Sequence, residues 1–559
     1  MQPFLSKYKK DLLCLLGITI IFLICSVLFF GYFGSLFFDT GREIYIPQLI
    51  LEGKVLYKDI FALYNPLSYE INSFLYLIFG TNVNVLYSAG IINSFLIILC
   101  IYLISRQFLN RLNSFVISVF TIFYFIFNSN TIINYIFPYA YAMIYALTAM
   151  LYSALFGLIY IRNNKSVYII SAFFMLGLSF ANKPEFIFCI IPLICLLFKN
   201  KTNLKVIIAS ITAFITPIII SYGILFIQGF TVQNLTEYLK FIRYFFATTE
   251  QKIYNTNTFR DWSLQNIINV SIDFIQFVIL TVVPAFIFNL FRAKKYVAAG
   301  IILALLLFKP YYITISKLTL NSALMISWVC IACLIIAIKS LKDKNWDFLF
   351  LCVFAILSCL RYKFILLADF AKFAGILPFA LIWIYINKTL FTQKIQYSLS
   401  IILLGLCTAI TQYQFKQIVY VPVELRNKNE IVYTLKAYAE PFLNTISWIK
   451  KNTKNTDTIL AIPEGIMINY ATERPTLPMY YHLIPNHIAA LNEHNIIDNI
   501  NKNQPEYFVL NNLDYSSYGS SHICENFGQN LCNFIYNNYT LVQEFESEKI
   551  KIKIFKHNL

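Results

Sequence analysis

Charge is scarce in this sequence. Of its 559 residues only 13% are Asp, Glu, Lys or Arg, against roughly 25% in soluble domains. Composition therefore excludes a string of soluble domains. The signatures of soluble nucleotide and hydrolase chemistry are missing as well: the chain has no Walker loop, no GxSxG, no HExxH and no dinucleotide fingerprint. Metal-like cysteine spacing is absent too. Ten of the twelve cysteines fall in or beside apolar runs, and the Cys330/Cys333 pair reads as packing inside a hydrophobic span. Histidine occurs only near the C-terminus, at His482, His487, His494, His522 and His557. That spacing fits no zinc pattern and reads as exposed loop residues. No stretch is low-complexity, and no internal repeat stands out.

What the chain has is apolar and aromatic. It is 58% hydrophobic, with 53 Phe and 39 Tyr, and its mean hydropathy is +0.64. Apolar runs of spanning length lie near 11–33, 85–105, 114–128, 136–161, 167–181, 185–198, 205–228, 267–291, 296–308, 318–338, 346–366, 370–387 and 396–413. That predicts a polytopic α-helical membrane protein of about thirteen spans. Every second connection is basic: Lys7, Lys9 and Lys10; Arg106 and Arg111; Arg162 and Lys165; Lys199, Lys201 and Lys205; Arg292, Lys294 and Lys295; Lys339, Lys342 and Lys344; Lys388 and Lys394. These connections belong inside. They account for much of the net charge of +16 without nucleic acid. The first run has a basic flank but no small-residue cleavage site, so it reads as an uncleaved span with the N-terminus cytoplasmic. An odd number of spans then leaves the C-terminus outside the cytoplasmic membrane.

Residues 1–415 form the membrane domain on this reading. Its first outer loop, 34–84, is half apolar and predicts helices lying along the interface. The outer loop 229–266 is amphipathic and aromatic, suited to lie over a membrane-level cavity. Residues 416–559 form a small extracytoplasmic α/β domain. In it, 428–452 predicts an amphipathic helix, DTILAIP and EYFVLN predict strands, MINYATERP a loop and CENFGQNLCNFIYNNY a helix. An oxidising compartment permits a Cys524–Cys532 disulfide. Eight residues apart on one helix, the two would need that helix to break.

Charges at the outer edge of the spans carry the chemistry. Asp39 and Glu43, four apart, share one face if the segment is helical, and Asp59 follows in YKDIF. An acid capping the next helix is the bland account of Asp39. The account with chemistry makes it a general base. Lys183 and Glu185 lie between two spans, Lys309 in FKPYY, and Arg361 and Lys363 in LRYKF. All break the positive-inside pattern, and cations at that depth call for an anionic partner, phosphate being the obvious one. Snorkelling to the interface is the alternative for each cation taken singly.

The run FFDTGREIYIPQLILEGKVLYKDIFALYNPLSYEINSFLYLIFG after one span resembles the GT-C class of integral-membrane glycosyltransferases. It is most similar to the bacterial relatives of protein O-mannosyltransferases and aminoarabinose transferases. Lys183-Pro184-Glu185 and the outer-tail segments TILAIPEG, NYATERP and DYSSYG extend the likeness along the chain. Many members carry Asp-Glu where this chain has Asp39-Thr40, with Glu43 a turn later. The WWDYG signature is absent, which disfavours en bloc transfer to asparagine. The resemblance implies a GT-C-like membrane fold and inverting transfer of one sugar from a polyprenyl-phosphate donor to a lipid, glycan or protein acceptor. Asp39 would be the base. Glu43 and Asp59 would position the acceptor or hold a divalent cation, no other cofactor being called for. Lys183, Arg361 and Lys363 would bind the donor phosphate. Rival readings are a transporter or flippase of lipid-linked saccharide, a surface-glycan polymerase or ligase, and a non-enzymatic assembly protein.

Overall fold

The computed structural model describes residues 2–127, 133–200, 202–258, 322–360, 371–389 and 420–558, with a few positions between 264 and 272. The expected spans near 296–308 and 396–413, nearly all of 267–291, and Lys309, Arg361 and Lys363 lie outside the described residues. Four described helices are long and apolar enough to cross a membrane: the 10–28 part of α1 (Gln2–Leu28), α4 (Val83–Arg106), α6 (Tyr141–Asn163) and α9 (Leu204–Ile227). Shorter apolar helices accompany them: α5 (Arg111–Thr121), continued as a π turn over Ile122–Ile126, then α7 (Ser166–Asn182) and α8 (Ile190–Lys199). The chain is a multi-pass membrane protein.

Helices α6, α7 and α9 pack in succession. A Cβ on Gly177 of α7 would lie 2.1 Å from the carbonyl oxygen of Phe214 in α9. Only a bare backbone permits that approach, as is usual where helices associate in lipid. At one end of the bundle, Asp11 accepts from Arg106 at 2.7 Å and Arg111 at 2.9 Å, tying α1 to α4 and α5. Arg162 there pairs with Asp347 at 2.8 Å and donates to the Gln107 carbonyl at 2.9 Å. Arg106, Arg111 and Arg162, three of the basic residues that the sequence placed on one face, thus gather at one end of the bundle.

The segment after α1 carries α2 (Thr40–Leu51) and α3 (Leu67–Phe79), the helices expected in the first loop. The 229–266 segment forms α10 (Val232–Ala247) and α11 (Thr249–Thr258). These lie against both the first loop and the C-terminal domain. Tyr238 meets Tyr57 with ring centres 4.1 Å apart, Phe245 meets His487 at 5.1 Å, and Tyr254 stacks on Tyr518 at 4.3 Å.

From Tyr420 the fold becomes α/β. Strands β1 (Tyr420–Glu424) and β2 (Ile431–Leu435) form an antiparallel pair, followed by α12 (Lys436–Asn452). The helix expected over 428–452 therefore begins later: its β-branched first part, Ile431-Val432-Tyr433-Thr434, pairs as a strand. A second sheet has the order β3 (Ile459–Ile462), β4 (Tyr507–Asn511), β6 (Lys551–His557), β5 (Tyr539–Glu546). Its first two strands are parallel and the other pairings antiparallel. Within the expected loop, Ile466–Thr472 is helical (α13). Cys524 and Cys532 are joined. The bond breaks no helix, because α14 (Gln529–Asn538) begins after Cys524, which sits in a turn with φ 72°.

Candidate active site

The residues between α1 and α2 are folded tightly on themselves. Ser35 Oγ accepts the N–H groups of Phe37 at 3.3 Å and Phe38 at 3.2 Å, while the Ser35 N–H donates to Thr40 Oγ1 at 2.8 Å. Asp39 follows, just ahead of α2 with φ 45°, in a region costly for a non-glycine residue. The capping account of this acid does not hold, since its side chain makes no cap bond. Its carboxylate instead meets Arg42 Nη2 at 2.9 Å. Nor do Asp39 and Glu43 share a helix face, because Asp39 precedes the helix. Arg42 joins them: its Nε lies 3.4 Å from Glu43 Oε1, and its Nη2 donates to the Tyr139 carbonyl at 2.8 Å. Glu43 Oε2 accepts the Tyr141 N–H at 2.9 Å, capping α6.

The C-terminal domain completes the cluster. A Cβ on Gly41 would lie 2.8 Å from both the Met467 N and the Ile466 Cγ2, so α2 rests directly on the backbone of α13. Two residues before α13, Glu464 stands beyond the end of β3, and its backbone pairs with that of His482. Glu464 Oε1 bonds His482 Nε2, and its Oε2 accepts from the Tyr515 hydroxyl at 3.2 Å. His482 Nδ1 lies 2.8 Å from His487 Nδ1, which is itself 2.9 Å from the His482 carbonyl. Asp39, Glu464 and His482 each offer a donor atom, and these lie within 4.8 Å of one another. On the other side, the Tyr481 hydroxyl donates to the Phe61 carbonyl at 2.9 Å, and the Phe61 N–H to the Pro478 carbonyl at 3.1 Å.

Lys183 reaches the same network through Tyr139. Its Nζ is 2.6 Å from the Tyr139 hydroxyl and 2.9 Å from Glu185 Oε1, and it lies over the Tyr64 ring at 4.6 Å. Asp59 does not join. Its Oδ2 accepts the Val55 N–H at 2.9 Å and closes its own turn. Asp39, Glu43 and Lys183 are thus brought together, and Asp59 is not.

Burial raises the Asp39 carboxyl above its usual range, against the pull of the Arg42 charge. Burial likewise pushes Glu464 up to about 7, opposed by Arg42 and by the Tyr515 hydrogen bond. His482 is lowered to about 3, first by burial and then by Arg42, so its imidazole is neutral at physiological pH. Glu43 is also raised to about 7 by burial.

No family model matches the chain, and no curated protein matches it in sequence. Solved structures do. The oligosaccharyltransferase AglB from Archaeoglobus fulgidus, solved with an inhibitory peptide and a dolichol-phosphate, superposes with a TM-score of 0.51 at 12% identity, over 96% of this chain and 73% of AglB. The apo form of the A. fulgidus oligosaccharyltransferase gives 0.51 at 12% identity, over 92% and 71%. ArnT from Cupriavidus metallidurans, bound to undecaprenyl phosphate, gives 0.44 at 10%, over 96% and 97%. The fold is shared with the A. fulgidus oligosaccharyltransferase. The GT-C resemblance drawn from the sequence holds at that level.

Sequence reasoning missed half of this site. His482 and His487, read as exposed, are 6% and 1% accessible, whereas His494 is exposed as expected. The signal for His482 and Glu464 was present in part. In TILAIPEG, an apolar run predicting a buried strand ends on an acid, and YYHLIP puts a histidine in an apolar run. Arg42 was legible too, as a cation between two acids in an apolar loop.

Proposed function

We propose that the protein transfers one sugar from a polyprenyl-phosphate donor to an acceptor hydroxyl at the outer face of the cytoplasmic membrane, with inversion. One observation carries this reading: Asp39, just beyond the first span, is held by Arg42 in a network that reaches the Lys183 ammonium through Tyr139. The AglB fold supports it, and the dolichol-phosphate in that structure is chemistry the proposed donor shares. The acceptor oxygen attacks the anomeric carbon as Asp39 takes its proton. The bond from that carbon to the phosphate oxygen breaks, and the polyprenyl phosphate leaves with one more negative charge. Lys183, with Arg361 and Lys363, holds that growing charge. Glu43, capping α6 and pairing with Arg42, fixes the guanidinium that orients Asp39. A phosphate leaves without protonation, so one base suffices.

The test is Asp39→Asn in membranes supplied with labelled polyprenyl-phosphate sugar. Transfer should fall about 10²–10⁴-fold, and Lys183→Ala should weaken donor binding. Near-normal transfer by Asp39→Asn would remove the base.

A further inference from the structure

We propose that Asp39, Glu464 and His482 form a divalent transition-metal site, built jointly by the membrane domain and the outer domain. The sequence pointed to Glu43 and Asp59 as partners for any ion. Among the described residues the cluster of metal-ligating donors includes neither of them: Glu43 bonds Arg42 and the Tyr141 N–H, and Asp59 closes its own turn.

Three donor atoms from three separate stretches of chain lie within 4.8 Å of one another. Each of these side chains is gripped by a further group. Arg42 holds Asp39 Oδ1 at 2.9 Å, the Tyr515 hydroxyl holds Glu464 Oε2 at 3.2 Å, and His487 meets His482 Nδ1 at 2.8 Å. Glu464 Oε1 and His482 Nε2 bond each other, and an ion would take the place of the proton they share. Such outer contacts on every ligand are what orient the donors of metal sites. An ionised carboxylate offers about four acceptor positions, so the Arg42 contact does not use up Asp39.

The charges agree. Arg42 pairs with both Asp39 and Glu43, while no lysine or arginine pairs with Glu464 among the described residues. A dication would balance the two carboxylates that face each other. One imidazole with two carboxylates suits zinc or manganese, whereas magnesium and calcium prefer all-oxygen sites. Asp39 keeps 25% of its side chain accessible, which gives an ion a way in. Once bound, the ion would lower the pKa of a coordinated hydroxyl or water. The site stands on its donors and not on the transfer reaction, so a chain that bound the ion but moved no sugar would leave it intact.

The experiment uses the full chain in nanodiscs, purified without a histidine tag and stripped with chelator. Zn²⁺ and Mn²⁺ are then titrated by calorimetry, and bound metal is counted by elemental analysis after desalting. One equivalent of either ion should be retained by the wild type and by His494→Ala, and lost by Glu464→Gln and His482→Ala. His487→Ala should bind about 10–100-fold more weakly. X-ray absorption on the wild-type zinc form should show one imidazole among oxygen donors, a readout that needs no variant to fold. Substoichiometric uptake by the wild type, a first shell lacking imidazole, or full retention by His482→Ala would each overturn the site.

Discussion

Gly41 rests against the backbone nitrogen of Met467, where a Cβ would approach to 2.8 Å. This contact sets how close Asp39, at the head of α2, comes to Glu464, just before α13. Gly41→Val should force the two helices apart at a cost of about 1–3 kcal/mol, as overpacking does. It should lower the unfolding temperature and speed limited proteolysis of the C-terminal domain. Unchanged values for both would show that the contact gives way without consequence.

Arg42, itself buried, holds the buried Glu43 and the half-buried Asp39 at once. Arg42→Met would leave Asp39 and Glu43 without their cation, and breaking a buried pair from one side costs about 3–5 kcal/mol. Arg42→Lys should fall between, keeping the charge but losing the fork that spans both carboxylates and the Tyr139 carbonyl. Thermal unfolding of the three proteins should rank wild type, Lys, Met. Equal midpoints for Lys and Met would mean that charge plays no part.

Glu70, in the first turn of α3, supplies a pH test. Its Oε1 is buried and has no hydrogen-bond partner among the described residues, and its Oε2 has only a long bond of 3.4 Å from Gln228. Burial raises its pKa from 4.5 to about 7, the Gln228 bond opposing. The folded state therefore holds this proton longer than the unfolded state. Its contribution is fully present below pH 4.5 and is lost as pH rises through about 7. Glu70→Gln should remove that dependence, so its unfolding temperature gains on the wild type across this window. A difference that stayed constant with pH would refute the assignment.

The C-terminal domain should be sensitive to reduction. Cys524 and Cys532 close a short loop, and opening a loop of that size costs about 2–3 kcal/mol on the chain-entropy account. The Cys524→Ser/Cys532→Ser double variant should unfold earlier in the C-terminal domain, and reductant should shift the wild type but not the variant. A reductant-insensitive wild type would contradict the pairing.

Apolar run length alone exposed α1, α4, α6 and α9, because a stretch that must satisfy its backbone in lipid advertises itself residue by residue. The same local logic found the first-loop acids, the amphipathic α10, the strands β3 and β4, and the resemblance that implied the fold. It misjudged 428–452 and the Cys524–Cys532 helix because strand pairing and turns depend on partners that lie elsewhere in the chain. Which charges meet was settled only by tertiary packing. Arg42 between Asp39 and Glu43, Lys183 on Tyr139, and Asp59 turned into its own loop depend on how helices rotate about their axes. The approach of Glu464 and His482 to Asp39 requires the C-terminal domain to dock on α2, which the missing side chain of Gly41 allows. Hydrophobic patterning says which face is buried. It does not say which distant carboxylate will be buried beside it.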